Sequence, residues 1–522
     1  MKKRALISVY NKDKIVDFAR ELVNKYNYEI LSTGGTARLL KENNISVVEV
    51  SELTKFPEML EGRVKTLHPA IHGGLLARRD KKDHMKTISD LGIQPIDLVV
   101  INLYPFDEVI KNPKSSFEDA IENIDIGGPS MIRSAAKNFS SVTVVSDASD
   151  LSLVLNELKT NNGETTLAFR EKLAAKAFKK TNKYDEAISN YLSNKTRLDN
   201  GQEVNNDFPE TLKLNLKLKK SLRYGENPHQ KAALYVDFDS SCGLANAEVF
   251  QGKELSFNNY LDLESSWNIA SEFTMETPVA VIVKHNTPCG AAIAPNLLHA
   301  YLEALNCDPI SAFGGIVAFN NKVEKELAEE LTKNFLEAIV APDFSDDALQ
   351  ILKNKKNLRV LKVKPDSNES NKKDIKRISH GYLMQDFNNQ ILNEKSLKVV
   401  TKRKPSEQEL IDLIFGWKIV KHVKSNAIVI AKDGKTLGIG GGQTSRVASV
   451  EIAVNQANYL TKNAVLASDA FFPFKDSIEI AASAEICAII QPGGSKKDPE
   501  VIEACDKYNI AMLFTGIRHF RH

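Results

Sequence analysis

Short, almost uninterrupted runs of aliphatic residues, each followed by a stretch with helical apolar spacing, constrain this chain more than any other feature. They begin at once: Ala5 to Val9, Ile15 to Tyr26, Tyr28 to Ser32, Thr36 to Lys41 and Val47 to Val50 alternate strand and helix patterns. A strand without a polar face is buried on both sides, which calls for a parallel sheet covered by helices. Asp97 to Leu103 and Ser141 to Ser146 read as further strands of this Rossmann-like α/β domain. The pattern returns at Val279 to Val283, Gly315 to Phe319, Ala427 to Ala431 and Ala488 to Gln491, beside helical segments, and predicts a second, larger α/β unit.

With 522 residues the chain exceeds the roughly 250 to 300 that one hydrophobic core sustains, so at least two domains are expected. Between Lys195 and Lys220 it turns Asn-rich and charged (Asn200 to Asp207), as linkers do, which places the domains at 1–198 and 199–522. A polar stretch from Lys362 to Lys376, including Pro365 to Asn371, divides the second unit near 365–400 into halves of similar element content. The halves share no residue-level repeat, so the residues themselves do not argue for a duplication.

Composition excludes several function classes. Lys plus Arg number 69 against 67 Asp plus Glu, so the net charge of +2 favours neither nucleic acid nor a membrane surface as partner. No apolar run approaches the roughly 18 to 20 residues of a membrane span, and the basic, then apolar, start is too short for a signal segment. Five widely spaced cysteines without C-x-x-C argue against a disulfide framework or structural zinc and for a reducing, cytoplasmic setting.

A first constellation lies before residue 140. Leu31-Ser32-Thr33-Gly34-Gly35-Thr36 follows a strand and opens a helix, where glycine permits a tight turn and the first amides offer a phosphate seat; a plain cap needs the same residues. Glu61-Gly62-Arg63-Val64-Lys65-Thr66-Leu67-His68-Pro69 sets two cations and a hydroxyl on one loop, and Arg63 can clamp phosphate bidentately, though either cation alone reads as a solvated charge. Asp125-Ile126-Gly127-Gly128-Pro129-Ser130 opens another helix, which carries Lys137. His68 and His72 read as capping or packing residues, since no third ligand and no H-E-x-x-H accompany them. Asn102 to Phe106 ends a predicted strand, where α/β sheets bind ligands, so Tyr104 faces substrate.

A second constellation follows. Ser221 to Gln230 packs Arg223, Tyr224, Asn227 and His229 around Gly and Pro, as recognition loops do. Lys284-His285-Asn286-Thr287-Pro288-Cys289-Gly290 puts a cation and an imidazole at the end of a buried strand, and histidine suits proton transfer near neutrality; an isolated pair would merely end a strand and cap a helix. Pro288-Cys289 resembles half of the zinc-deaminase signature, but the second cysteine and the H-x-E are missing, so no metal is expected, and Cys289 reads as a structural thiol before a nucleophile. Ser311 to Gly315, Lys424 to Ala427, Gly438 to Arg446 and Ser468 to Phe474 are small-residue turns with polar or aromatic punctuation; the glycine run can seat an anion but lacks the Walker ending.

These residues carry a resemblance. Ser32 to Thr36, Phe56 to His72, Asn102 to Phe106 and Asp125 to Lys137 resemble the inosine monophosphate cyclohydrolase domain, whose fold is similar to methylglyoxal synthase. The second constellation, with Thr515 to His522, resembles the aminoimidazole carboxamide ribonucleotide formyltransferase domain, whose fold is two cytidine-deaminase-like subdomains without catalytic zinc. The resemblance covers essentially the full chain, in the order of this bifunctional family of purine biosynthesis.

It implies formyl transfer from 10-formyltetrahydrofolate, as co-substrate and not as a tightly bound cofactor, to 5-aminoimidazole-4-carboxamide ribonucleotide (AICAR). Dehydrative closure of the formylated product (FAICAR) to inosine monophosphate then follows. Lys284 and His285 match the family's Lys-His pair, with His285 as base and Lys284 on the oxyanion, and Asn426 orients the reacting groups. Arg223, Tyr224, Asn227, Arg446, Phe471 and Arg518 contact the ribonucleotide, with His229, Gly314 and His522 as lesser candidates. In the cyclohydrolase, Lys65, Tyr104, Asp125 and Lys137 match proton-transfer and polarising groups. Ser8, Lys12, Ser32, Thr33, Gly34, Gly35, Thr36, Arg63 and Thr66 match phosphate and ribose contacts, joined by Asn102, Gly127 and Gly128. Tyr10 and Asn11 stand where some relatives carry Ser and Asp and are left out. The resemblance also implies a homodimer with sites at its interface.

Two competing readings remain: a methylglyoxal-synthase-like lyase with an unrelated appendage, which leaves Lys284-His285 unexplained, and a non-enzymatic nucleotide-sensing module, which leaves the clustered Lys, His, Asp and Tyr unexplained. Formyl transfer to AICAR separates all three.

Overall fold

A computed structural model of the chain describes residues 2–60, 63–104, 106–112, 114–199, 208, 211–237, 241–365 and 373–522. Glu61, Gly62, Pro105, the expected linker Asn200 to Asp207 and most of the polar stretch Pro365 to Asn371 lie outside the described residues. The chain divides into two units, Met1–Leu212 and Lys213–His522.

In the first unit β1 (Lys3–Val9), β2 (Tyr28–Ser32), β3 (Val47–Glu49), β4 (Leu98–Asn102) and β5 (Thr143–Val145) form an all-parallel sheet of order β3-β2-β1-β4-β5. Burial on both faces explains the continuous apolar runs: Ala5, Leu6 and Ile7, like Leu98 to Ile101, are buried without alternation. The helix Ile15–Tyr26 buries Ile15, Phe18, Ala19 and Leu22, a single stripe at helical spacing, and stops at Asn27 in the left-handed conformation (φ 56°). The strand expected at Ser141 to Ser146 shortens to β5, and a helix of 33 residues, Leu167–Asp199, adds a layer that the residue pattern had not suggested. Its Leu173, Ala174, Ala177 and Tyr184 join the same core.

The second unit holds β6 (Leu216–Leu222), β7 (Ala232–Asp237), β8 (Glu248–Gln251), β9 (Val279–Lys284), β10 (Thr287–Ile293), β11 (Ile316–Phe319), β12 (Ala338–Ala341), β13 (Arg359–Lys362), β14 (Lys373–Ile378), β15 (Gly381–Asp386), β16 (Lys398–Val399), β17 (Ile428–Lys432), β18 (Lys435–Gly440), β19 (Val465–Ser468), β20 (Ala488–Gln491) and β21 (Ala511–Phe514). β6-β7 and β14-β15 are separate hairpins; the other strands form one twelve-stranded mixed sheet.

Its order, β16-β21-β20-β19-β17-β18-β10-β9-β11-β12-β13-β8, reads the same from either edge once each strand is matched with its counterpart in the other half. The senses match too: β9-β11 and β17-β19 are antiparallel, β11-β12-β13 and β19-β20-β21 parallel, and the halves join antiparallel through β10 and β18. This is a duplicated α/β architecture. Alternation along the central strands sorts the core: Val279, Val281, Val283, Val429 and Ala431 face one apolar layer shared by both halves. Ala280 and Ile282 face a second layer, and Ile428 and Ile430 a third. The shared layer lies under the helices Phe257–Ala270 and Glu407–Val420, each opened by a reciprocal capping box, Ser256 with Asn259 and Ser406 with Glu409.

Candidate active sites

In the first unit strand order reverses between β1 and β4, the switch point at which parallel sheets bind ligands beyond the strands' carboxyl ends. After β2 the turn Ser32 to Thr36 is fastened to β1: the Ser32 hydroxyl donates to Ile7 O (2.6 Å), Thr36 Oγ1 donates to Val9 O (3.0 Å), and Ser8 and Thr33 share a 2.9 Å bond. Ser32 and Thr36 are buried and their hydroxyls are engaged by backbone, so both shape the turn. Gly34 starts the helix Gly34–Glu42 at φ +46°, and Lys12 Nζ stands 3.1 Å from where a Gly35 Cβ would be. An ammonium beside the first amides of a nine-residue helix combines charge and free donors of the kind an anion can accept from.

Asn102, at the end of β4, spends its side chain on the neighbouring loop, accepting from Tyr10 N (2.6 Å) and Asn11 N (3.1 Å) and donating to Asn11 O (3.0 Å). That clamp lays the Tyr10 ring against Tyr104, 4.5 Å between centroids, with both rings partly exposed. Arg63 pairs with Glu122 on the surface, and Lys65 Nζ stands 3.6 Å from Glu58. Thr66 is buried with its hydroxyl pressed on Gly127, 2.4 Å from where a Cβ there would lie, which brings the 63–68 loop onto the start of the helix Gly127–Lys137.

Asp125 precedes that helix and accepts from Gly128 N (2.8 Å). Burial raises its carboxyl above the usual range, against the Gly128 hydrogen bond and the charge of Lys65. Lys137 is not brought to the same place. It ends the helix, ten residues beyond Gly127 and about 15 Å along the axis at 1.5 Å per residue, exposed to solvent. His68 caps the helix Pro69–Leu76, accepting from Ala70 N (3.1 Å), and His72 bonds Ser134 Oγ (2.9 Å) with its ring protonation disfavoured by burial.

In the second unit Lys284 and His285 stand at the β9-β10 hairpin. Lys284 pairs with Thr287, and the two residues between, His285 (φ 52°) and Asn286 (φ 61°), are both left-handed, as a tight two-residue turn between twisted strands requires. Only glycine enters that region freely, so the strain of order 1–3 kcal/mol per residue is held by neighbours. Asp262 accepts from Asn286 N (2.6 Å) and Ser265 Oγ donates to Asn286 O (3.3 Å). The turn presents an exposed imidazole, while Lys284 Nζ donates to Phe313 O (2.8 Å), next to Gly314 (φ +73°). One helical turn before Asp262, Asn258 donates to Glu226 O (3.4 Å), which sets the loop of Arg223, Tyr224, Asn227 and His229 beside the His285 turn. Within that loop Gln230 Oε1 accepts from Asn227 N (2.8 Å) and Nδ2 (3.0 Å), and the Arg223 guanidinium lies 5.7 Å from the Tyr224 ring centre.

Asn426 follows a cis peptide bond and is held from three directions. Its Nδ2 donates to Gln443 O (3.0 Å), its Oδ1 accepts from Arg446 Nη2 (2.8 Å), and its carbonyl accepts from Ser449 Oγ (2.9 Å). Arg446 is itself buried and ion-paired at 2.5 Å with Asp469, which is fully buried and also accepts from Ser425. The guanidinium therefore acts on Asn426 within the chain. Phe471 and the tail residues Arg518 and His522 are exposed at this sheet end; Arg518 covers Phe520 at 4.6 Å, and Ser425 N donates to Arg521 O (2.9 Å). Burial pushes the Cys289 thiol up to about 12, which leaves no thiolate for nucleophilic chemistry.

Two residues join these sites only through the structure. Asp469 was visible merely as part of a small-residue turn, and Tyr184, whose hydroxyl accepts from Asp125 N (2.7 Å), lies on a helix with no motif around it.

The chain matches the family model described as AICARFT/IMPCHase bienzyme over residues 135–456 and the one described as MGS-like domain over residues 14–130. It is similar to proteins named bifunctional purine biosynthesis protein PurH. The one from Caldicellulosiruptor saccharolyticus is 53% identical, that from Thermoanaerobacter sp. strain X514 53% and that from Bacillus cereus strain B4264 50%, each covering 100% of both chains. The solved structure of ForH matches with 34% identity and a TM-score of 0.33 over 36% of this chain and 98% of its own.

Proposed function

The chain belongs to the AICARFT/IMPCHase bienzyme family, and from that membership we propose how its residues divide the two reactions. It is a bifunctional enzyme of purine biosynthesis, a formyltransferase that uses a folate co-substrate to convert AICAR to FAICAR and a cyclohydrolase that closes FAICAR to inosine monophosphate.

We assign transfer to the second unit, with 10-formyltetrahydrofolate as donor and no other cofactor. The AICAR amine attacks the formyl carbon, His285 takes the amine proton, Lys284 stabilises the oxyanion, and the folate nitrogen leaves protonated. Asn426, oriented by Arg446, positions the formyl acceptor. Cyclisation falls to the first unit. There the carboxamide nitrogen attacks the new formyl carbon and Asp125 accepts one of its protons; Lys65 and Tyr104 polarise the formyl oxygen, which departs as water carrying that proton and the one lost from the formamide nitrogen, and Lys12 with the Gly34-Gly35 amides holds the phosphate. The observation that carries this division is that one apolar core lies wholly in the first unit and the other three wholly in the second.

A homodimer completes the transferase in this reading. Lys284 leans toward β11, whereas Asn426 precedes β17 on the other side of the β10-β18 seam. Three strand spacings separate β9 from β17, about 14 Å, so both serve one reacting carbon when a second copy supplies one of them. No helix among the described residues is long and apolar enough to cross a membrane. The odd, dispersed cysteines support a cytoplasmic enzyme, and the near-zero net charge supports small molecules, not nucleic acid or membrane, as partners.

The test separates the half-reactions. His285→Ala loses transfer by about a hundredfold or more and still cyclises supplied FAICAR, whereas Lys65→Ala accumulates FAICAR. Loss of both activities in a folded His285→Ala protein would refute the division.

A further inference from the structure

Asp125 sits on a short turn between the helices Phe117–Glu122 and Gly127–Lys137. A side chain from far along the sequence spans it. The Tyr184 hydroxyl, on the helix Leu167–Asp199, accepts from Asp125 N (2.7 Å) and donates to Asn123 O (3.3 Å). Tyr184 is 8% exposed and its ring meets Phe106 edge-on at 6.3 Å, while Tyr191, almost two helical turns beyond, packs on Phe106 (5.7 Å) and Phe117 (6.0 Å). Arg133 lies over Phe178 at 5.5 Å, so the same helix is also seated on the one that Asp125 opens.

Packing alone would be served by phenylalanine. A buried hydroxyl is costly unless both its donor and acceptor capacity are used, and here both are used on the backbone that flanks one proposed proton acceptor. With the turn fixed, Asp125 Oδ1 stays bonded to Gly128 N and Oδ2 is left to exchange a proton with the substrate.

We propose that Tyr184 is a positioning residue for the cyclohydrolase, holding the Asn123–Asp125 backbone so that the Asp125 carboxylate is preset for the substrate carboxamide. The inference rests on the assignment of Asp125 as proton acceptor. Tyr184 lies beyond residues 14–130, the segment matching the MGS-like model, so the added helix contributes to the reaction as well as to the core.

Three variants of the full-length enzyme decide it, assayed with FAICAR for cyclisation and with AICAR and 10-formyltetrahydrofolate for transfer, with melting curves to confirm folding. Tyr184→Phe, which keeps the ring, is expected to lower kcat for cyclisation roughly tenfold with KM for FAICAR unchanged and transfer intact, because small displacements of a reacting group are expensive. Combined with Asp125→Asn it is expected to cause no further loss, since the hydroxyl acts through that carboxylate. An unchanged kcat in Tyr184→Phe beside a crippled Asp125→Asn would overturn the proposal alone, as would losses that multiply in the double variant. Full cyclisation by Asp125→Asn would instead remove the assignment on which the proposal stands.

Discussion

His519 shows how a buried side chain with no part in the proposed chemistry can set the conditions under which the enzyme survives. Its ring is 1% exposed, lies 4.9 Å from the Trp417 ring and is within 3.1 Å of Asn388 Nδ2. Burial, assisted by the charge of Lys421, lowers its pKa to about 4 from an ordinary value near 6.5, against the opposing charge of Glu272. The folded state thus binds this proton less readily than the unfolded chain. The associated stability is complete above pH ~6.5 and is lost progressively as pH falls toward about 4, amounting to about 3 kcal/mol in all. Urea midpoints for wild type and His519→Gln are therefore expected to converge as pH falls through that window. A constant difference would remove His519 as the cause. Nearby Glu272, held at about 2 because its hydrogen bonds and charge contacts with His422 and Lys421 outweigh burial, pushes in the same direction only at lower pH. In the sequence His519 was one polar letter of a terminal motif; its burial depends on Trp417, 102 positions away by number, and no local pattern encodes that.

At the scale of elements the duplication becomes physical. Gly290 is the fourth residue of β10 and Gly438 the fourth of β18. A Cβ on either would stand 2.0 Å from a helix carbonyl, Ala304 O and Ala453 O respectively, and each of these is the eighth residue of its helix, Leu297–Cys307 and Arg446–Ala457. Backbone meets backbone at equivalent points of the two halves, which fixes how closely each helix lies on the sheet. Gly290→Ala and Gly438→Ala are expected to cost similar amounts, about 1–3 kcal/mol or more, by chemical denaturation, and to impair transfer while cyclisation of FAICAR persists. A neutral result at either position would show that the helix can withdraw. The residue patterns foretold β9, β11, β17 and β20, which are continuous apolar runs, but not β10 or β18, whose Thr-Pro-Cys-Gly and Lys-Thr-Leu-Gly starts carry no such run. The long helix Leu167–Asp199 escaped for the opposite reason, its apolar residues being diluted by lysines along a mostly solvated face.

For the whole molecule, the confinement of each apolar core to one unit predicts two folding units. Calorimetry of the full chain is expected to resolve two transitions, and residues 1–212 alone to show native circular dichroism and to cyclise FAICAR; a single cooperative transition, or an unfolded fragment, would contradict this. The sequence by itself determined what depends on neighbours along the chain: buried parallel strands, the Gly34-Gly35 turn that opens a helix after β2, and the pairing of a cation with an imidazole at Lys284-His285. The family resemblance added the reactions, because its motifs are runs of adjacent residues too. Only the tertiary structure decided the palindromic order of the twelve strands, the lean of Lys284 toward β11, the burial of Arg446 on Asp469, and the clamp of Tyr184 on the Asp125 turn. Each of these is a contact or a separation between segments distant in sequence, set by how apolar faces pack and by which buried polar groups find partners, and neither leaves a period or a motif in the residues themselves.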